Sequence, residues 1–87
     1  MMVLDLRGNS IDDNGILDLC DAFLSSHVNK LRELNLTETQ ITDRGVKSII
    51  EVMQQITTLY SVIIGERAEV SKEVRVQLEA AMRKNRL

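Results

Sequence analysis

The chain has 87 residues, 44% hydrophobic and 28% charged, with a net charge of −2. That length allows one domain with a small core, and the balance is that of a globular chain rather than a disordered one. Phe23 and Tyr60 are the only aromatic residues, so the core must be aliphatic, and the stacking platform of single-stranded nucleic-acid binders is missing. The acidic balance likewise speaks against a nucleic-acid partner.

In chain order, Leu4 and Leu6 alternate with polar neighbours, which predicts a strand near residues 2–6. Leu19 and Phe23 then fall at helical spacing, predicting a helix near 13–25 that Asp12 or Asp13 can cap. Leu34 and Leu36 mark a second strand near 32–36. Val46, Ile49, Ile50 and Met53 mark a helix near 43–55, with Thr42 or Asp43 at its start. A third strand is expected near 60–64 from Val62 and Ile64. A last helix near 71–85 follows from Val70, Val74, Leu78 and Met82, with Ser71 as cap. Acids at the helix starts, and Arg83, Lys84 and Arg86 at the end of the last helix, suit the helix dipoles.

The order of elements repeats because the sequence does. Leu4-Asp5-Leu6-Arg7-Gly8-Asn9-Ser10-Ile11 returns 30 residues later as Leu34-Asn35-Leu36-Thr37-Glu38-Thr39-Gln40-Ile41, and Gly15 is matched by Gly45. A third, decayed copy sets Leu59, Val62 and Ile64 in the places of Leu31, Leu34 and Leu36. Repeats at this spacing stack into solenoids. A strand joined through a helix to a parallel strand makes a right-handed crossover. The expected fold is therefore α/β: a short right-handed solenoid of three strand–helix units, with a parallel three-stranded sheet on the concave side. The single domain spans 1–87, with repeats at about 1–30, 31–58 and 59–87.

These residues resemble the leucine-rich repeat of the longer, helix-containing kind found in ribonuclease inhibitors. The pattern is Leu-x-x-Leu-x-Leu-x-x-Asn-x-Ile/Leu, followed by a Gly that opens the helix. Met1, Leu4, Leu6, Asn9, Ile11 and Gly15 fill it in the first repeat; Leu31, Leu34, Leu36, Thr39, Ile41 and Gly45 fill it in the second. The resemblance implies that Asn9 bonds backbone groups of the turn, with Thr39 as a shorter substitute. Arg67 stands in the Asn position of the third repeat and no Gly opens its helix, as expected of a divergent C-terminal cap. The tail from Leu59 to Arg86 is also similar to the last repeat of tropomodulin-like proteins, which cap actin filaments. A solenoid that starts at its first repeat position is expected either to be the last part of a longer array or to have that edge covered by another copy.

Chemistry beyond binding finds few residues. Asp12, Asp13, Asp18 and Asp21 lack the spacing of a calcium loop, since Leu17 stands at the sixth position and Phe23 at the twelfth. His27 has no converging ligands, Cys20 reads as a small buried hydrophobe, and Gly8-Asn9-Ser10 is a turn and not a phosphate cradle. The chain is expected to be no enzyme and to need no cofactor or metal. Cys20 has no partner for an intrachain disulfide, no run reaches the roughly 18 apolar residues of a membrane span, and the start lacks a secretory signal. The expected location is cytoplasmic, or otherwise intracellular.

That leaves the concave strand face, where Asp5, Arg7, Glu33, Asn35, Thr37, Ser61 and Ile63 are the candidate binding residues for a protein or peptide partner. Asp5, Asn35 and Ile63 should form one row, and Arg7, Thr37 and Gly65 the next. Solvated strand surface is the plain alternative, with Asp5 and Arg7 simply satisfying neighbouring charges. The last helix offers a second, basic surface in Lys72, Arg75, Arg83, Lys84 and Arg86, and Val76 and Ala80 fall off its buried stripe. Charge is also split along the chain: residues 1–43 carry three basic and eight acidic side chains, residues 44–87 eight basic and five acidic. This split suits head-to-tail contact with another copy, or a partner with matching patches, or is accidental. A structural, self-assembling or actin-associated role is the alternative function, with self-association through the open first strand.

Overall fold

The computed structural model of the protein describes residues 2–25 and 31–86. Alternating apolar residues form β1 (Met2–Asp5), β2 (Leu31–Leu36) and β3 (Ser61–Ile64). Between and after them run α1 (Asp13–Ser25), α2 (Asp43–Gln55) and α3 (Lys72–Asn85). The strands form one parallel sheet in the order β1-β2-β3. On the other side α1 packs on α2 and α2 on α3. This is the expected solenoid of three strand–helix units. The helix bounds lie within one residue of expectation, while β2 starts one residue early and β3 one residue late.

One aliphatic core runs through all three coils. Leu34, Leu36 and Ile41 of the middle coil are each about 1% exposed, because a coil covers them on both sides. Leu4, Leu6 and Ile11, at the same positions of the first coil, are only half-buried, since one side has no neighbour. The α1 stripe differs from expectation. Ile16, Cys20 and Phe23 turn inward, and Leu19 lies half-buried beside them. In α2, Val52 joins Val46, Ile49 and Met53 in the core and Ile50 is displaced to its margin. The α3 stripe, Val74, Leu78 and Met82, is as expected.

The acids at the helix starts work across coils and not only within them. Asp12 caps its own helix by accepting from the Gly15 N–H at 3.0 Å. Asp13 instead reaches the next coil. It accepts from the Thr42 N–H at 2.7 Å, from the Gly45 N–H at 3.2 Å, and from the Thr42 hydroxyl. Thr42 therefore needs no side-chain bond to its own helix. Asp43 repeats the device, accepting from the Ser71 N–H at 2.6 Å, while Ser71 caps α3 by accepting from Val74. The carboxylates satisfy donors that a helix start leaves without intrahelical partners, and the bonds tie each coil to the next.

The third coil closes differently, with Arg67 at the position of Asn9 and Thr39 and no Gly at the start of its helix. Arg75 turns inward and donates to the carbonyls of Gly65 at 3.0 Å, Ala68 at 3.2 Å and Val70 at 3.3 Å. It is a clasp for the β3–α3 connection and not part of the expected basic surface. Asn85 joins α3 to the preceding turn through Met53 O at 3.0 Å and Leu59 O at 2.6 Å. The Met82 sulfur accepts from the Val62 N–H at 3.3 Å, covering the outer edge of β3 at that point. Asn9 does not do what its resemblance implied. It is exposed and its side chain bonds no described residue, whereas Thr39 donates to Leu36 O at 2.7 Å within its own turn.

Candidate binding face

Parallel register sets the candidate residues in rows across the sheet. Asp5 pairs with Asn35 and Asn35 with Ile63; one step earlier Val3 pairs with Glu33 and Glu33 with Ser61. A backbone bond from Gly8 N–H to Thr37 O at 3.0 Å extends the alignment to the Arg7–Thr37 level. Because side chains alternate, burial of Leu34 and Leu36 forces Glu33, Asn35 and Thr37 to the outer face.

The rows change character from strand to strand. Asp5 and Arg7 form an ion pair, with Arg7 Nη2 at 2.9 Å from Asp5 Oδ2 and Nε at 3.0 Å from both carboxylate oxygens. The hydrogen bond from the Arg7 side chain holds the Asp5 carboxyl below its ordinary range, with the Arg7 backbone N–H adding to it. Asn35 stands in the same relation to Thr37. Its Oδ1 accepts from the Thr37 N–H at 3.1 Å and the Thr37 hydroxyl at 2.7 Å. The bonds occupy the Asn35 oxygen only; its amide N–H groups donate to no described residue. Ile63 completes the row with a 40% exposed aliphatic side chain. Ser61 donates to Glu33 Oε1 at 3.3 Å on the row before.

The turns after the strands carry a feature that sequence reading missed. Glu38 has φ 62°, matching Gly8 at φ 72° in the first coil. A side chain in the left-handed region costs about 1 kcal/mol or more. Alignment of Glu38 with Gly8 was the available signal. The turn leaves one shallow hollow between Arg7, Thr37 and Glu38, and another between Glu38, Gly65 and Arg67.

Elsewhere the candidate chemistry is absorbed by packing. Burial pushes the Cys20 thiol up to about 11, with Asp21 and Glu51 adding to it, so it stays protonated and unreactive at neutral pH. Among the described residues no group of three or more His, Cys, Asp and Glu could hold a metal ion. His27 lies outside the described residues. No helix among the described residues is long and apolar enough to cross a membrane.

A comparison with protein families matches the leucine-rich repeat family over residues 1–20 and 27–49. That match, with the three strand–helix coils and the parallel sheet, gives the chain a leucine-rich-repeat architecture, consistent with solenoids of the ribonuclease-inhibitor kind. The matched stretch ends before β3, so the tropomodulin likeness of the tail gains no support from it. No curated protein and no solved structure matches the chain.

Proposed function

We propose that the domain is a non-catalytic interaction module that binds a protein or peptide partner through its concave strand face, by Asp5, Arg7, Glu33, Asn35, Thr37, Ser61 and Ile63. One observation carries the reading. The row Asp5–Asn35–Ile63 offers, side by side, an ion pair, open amide donors and an exposed aliphatic. A peptide with an acceptor facing Asn35 and an apolar side chain over Ile63 satisfies both at once. A sugar or nucleotide would need aromatic stacking or a basic pocket, and this face has neither.

The test is affinity capture from the native source, comparing the unaltered domain with an Asp5→Arg/Asn35→Arg variant. Arginines on two adjacent strands place bulk and positive charge across the row, so partner retention is expected to fall at least tenfold, worth about 1.4 kcal/mol or more. Both positions point away from the core, so helical circular dichroism should not change. Equal capture by both proteins would move the contact to the helix side.

A further inference from the structure

The outer face of the sheet is not uniformly polar. Among the described residues three large hydrophobic side chains are well exposed, and two of them, Val3 at 48% and Ile63 at 40%, stand on this face. Register fixes where. Val3, Glu33 and Ser61 form one row, and Asp5, Asn35 and Ile63 the next. In this field of six, the two aliphatics occupy opposite corners and Asp5 and Ser61 the other two, with Glu33 and Asn35 on the middle strand. Val3 points out of the sheet plane and not off its edge, since its neighbour Leu4 turns toward the core.

The line from Val3 to Ile63 crosses two strand spacings and two residues, about 12 Å in all. Its midpoint falls over Leu34, whose side chain is buried, so bare backbone lies there. Glu33 stands on one side of the line and Asn35 on the other. Glu33 is an acceptor: among the described residues the Ser61 hydroxyl alone engages it, at 3.3 Å, and no cation pairs with it. Asn35 is a donor, because its oxygen is spent on Thr37 and its amide N–H groups are open. The Asp5 charge is answered by Arg7. Arg32, the exposed residue before Glu33, makes no bond to it.

From this we infer that the partner's contact segment is extended and lies along the Val3–Ile63 diagonal, with apolar side chains four residues apart seated on the two aliphatics. This rests on the concave-face reading and adds the conformation and spacing of what is bound. In an extended chain residues i and i+4 point the same way and lie about 13 Å apart, close to the span from Val3 to Ile63. Residue i+2 then sits over the bare backbone at Leu34 and is small. Main-chain N–H and C=O groups leave an extended chain sideways, on alternate sides from residue to residue, and need partners once water is excluded. One side brings an N–H to Glu33 and the other a C=O to Asn35. A helix offers no such groups, because its own ladder uses them, and its i and i+7 side chains lie only about 10.5 Å apart. Glu33 leaves the field one negative charge in excess, so acidic segments are disfavoured.

Selection of a displayed random dodecapeptide library on the unaltered domain tests it, with the chosen peptides resynthesised and titrated. Enriched peptides should carry two apolar residues separated by three others, a small residue midway and few acids. Val3→Lys and Ile63→Lys should each weaken their binding at least tenfold, whereas Val76→Ser on α3 should leave it unchanged. If a lysine variant loses its helical circular dichroism, Val3→Thr or Ile63→Thr keeps a β-branched residue in the strand and should weaken binding in the same direction. N-methylation of the peptide backbone, scanned over the three central residues, should cost at least tenfold at one of them. Peptides that lose affinity for the Asp5→Arg/Asn35→Arg variant but show another spacing, or a helical one, overturn the diagonal and leave the concave-face reading standing. Peptides indifferent to that variant overturn both. No enrichment at all overturns the diagonal segment alone, because a folded partner surface would escape such a library.

Discussion

Leu36→Ala should lower the unfolding free energy by about 3–5 kcal/mol, and Leu6→Ala, at the same place in the first coil, by less than half as much. Leu36 is about 1% exposed, with coils on both sides, so truncation leaves a cavity that neither neighbour can fill. Leu6 is half-buried at the open end; part of its side chain is already in water, and solvent can enter the space. A domain of this size holds about 5–10 kcal/mol in total, so the Leu36 variant should sit close to its unfolding transition. Urea titration followed by helical circular dichroism measures both. Equal costs at the two positions would mean that the coils do not share one graded core.

Gly45→Ala is expected to cost about 2 kcal/mol, while Gly15→Ala should be neutral or stabilising by up to about 1 kcal/mol. The two glycines occupy the same repeat position and both lie in the first turn of a helix. Their surroundings differ. A Cβ at Gly45 would stand 2.6 Å from Asp13 Oδ1 and 2.7 Å from Ile41 Cγ1. The carboxylate cannot yield without loosening its bonds to Thr42 and Gly45, and Ile41 is a branched side chain locked in the core. At Gly15 the nearest atoms are 3.7 Å away, so the methyl group fits and the helix gains the better helix former. By thermal unfolding, the Gly45 variant should melt about 8–16 °C lower, at 4–8 °C per kcal/mol for a domain of this size. If both substitutions shifted the melting point alike, Asp13 would not be reaching across the coils as described.

The repeat made most of the architecture legible. Period-two leucines placed the strands, and capping residues placed the helix starts, because both signals act within a few residues. What escaped were bonds between groups far apart in sequence. Asp13 reaches Thr42 at a separation of 29 residues and Asn85 reaches Met53 at 32. Local reasoning assigned the acids to their own helices, although their recurrence as Asp13 and Asp43 hinted at a task performed once per coil. Arg75 was taken as surface charge from its type alone. The β3–α3 connection leaves carbonyls that need a donor, and Arg75, a long cation one turn into α3, is the group that reaches them.

The candidate face was legible to the level of which residues point outward, since burial of Leu34 and Leu36 leaves no other orientation for Asn35. Its internal bonding was not. Nothing in the one-dimensional pattern indicates that Asp5 and Asn35 spend their oxygens on the residue two places on, leaving the Asn35 amide donors open.

The row across the sheet underlies both the core and the binding proposal, and proton NMR reads it without any partner. Backbone nuclear Overhauser contacts should link Asp5 to Asn35 and Asn35 to Ile63, with Val3, Glu33 and Ser61 linked one step earlier. A register displaced by one residue, or strands with no such contacts between them, would contradict the account.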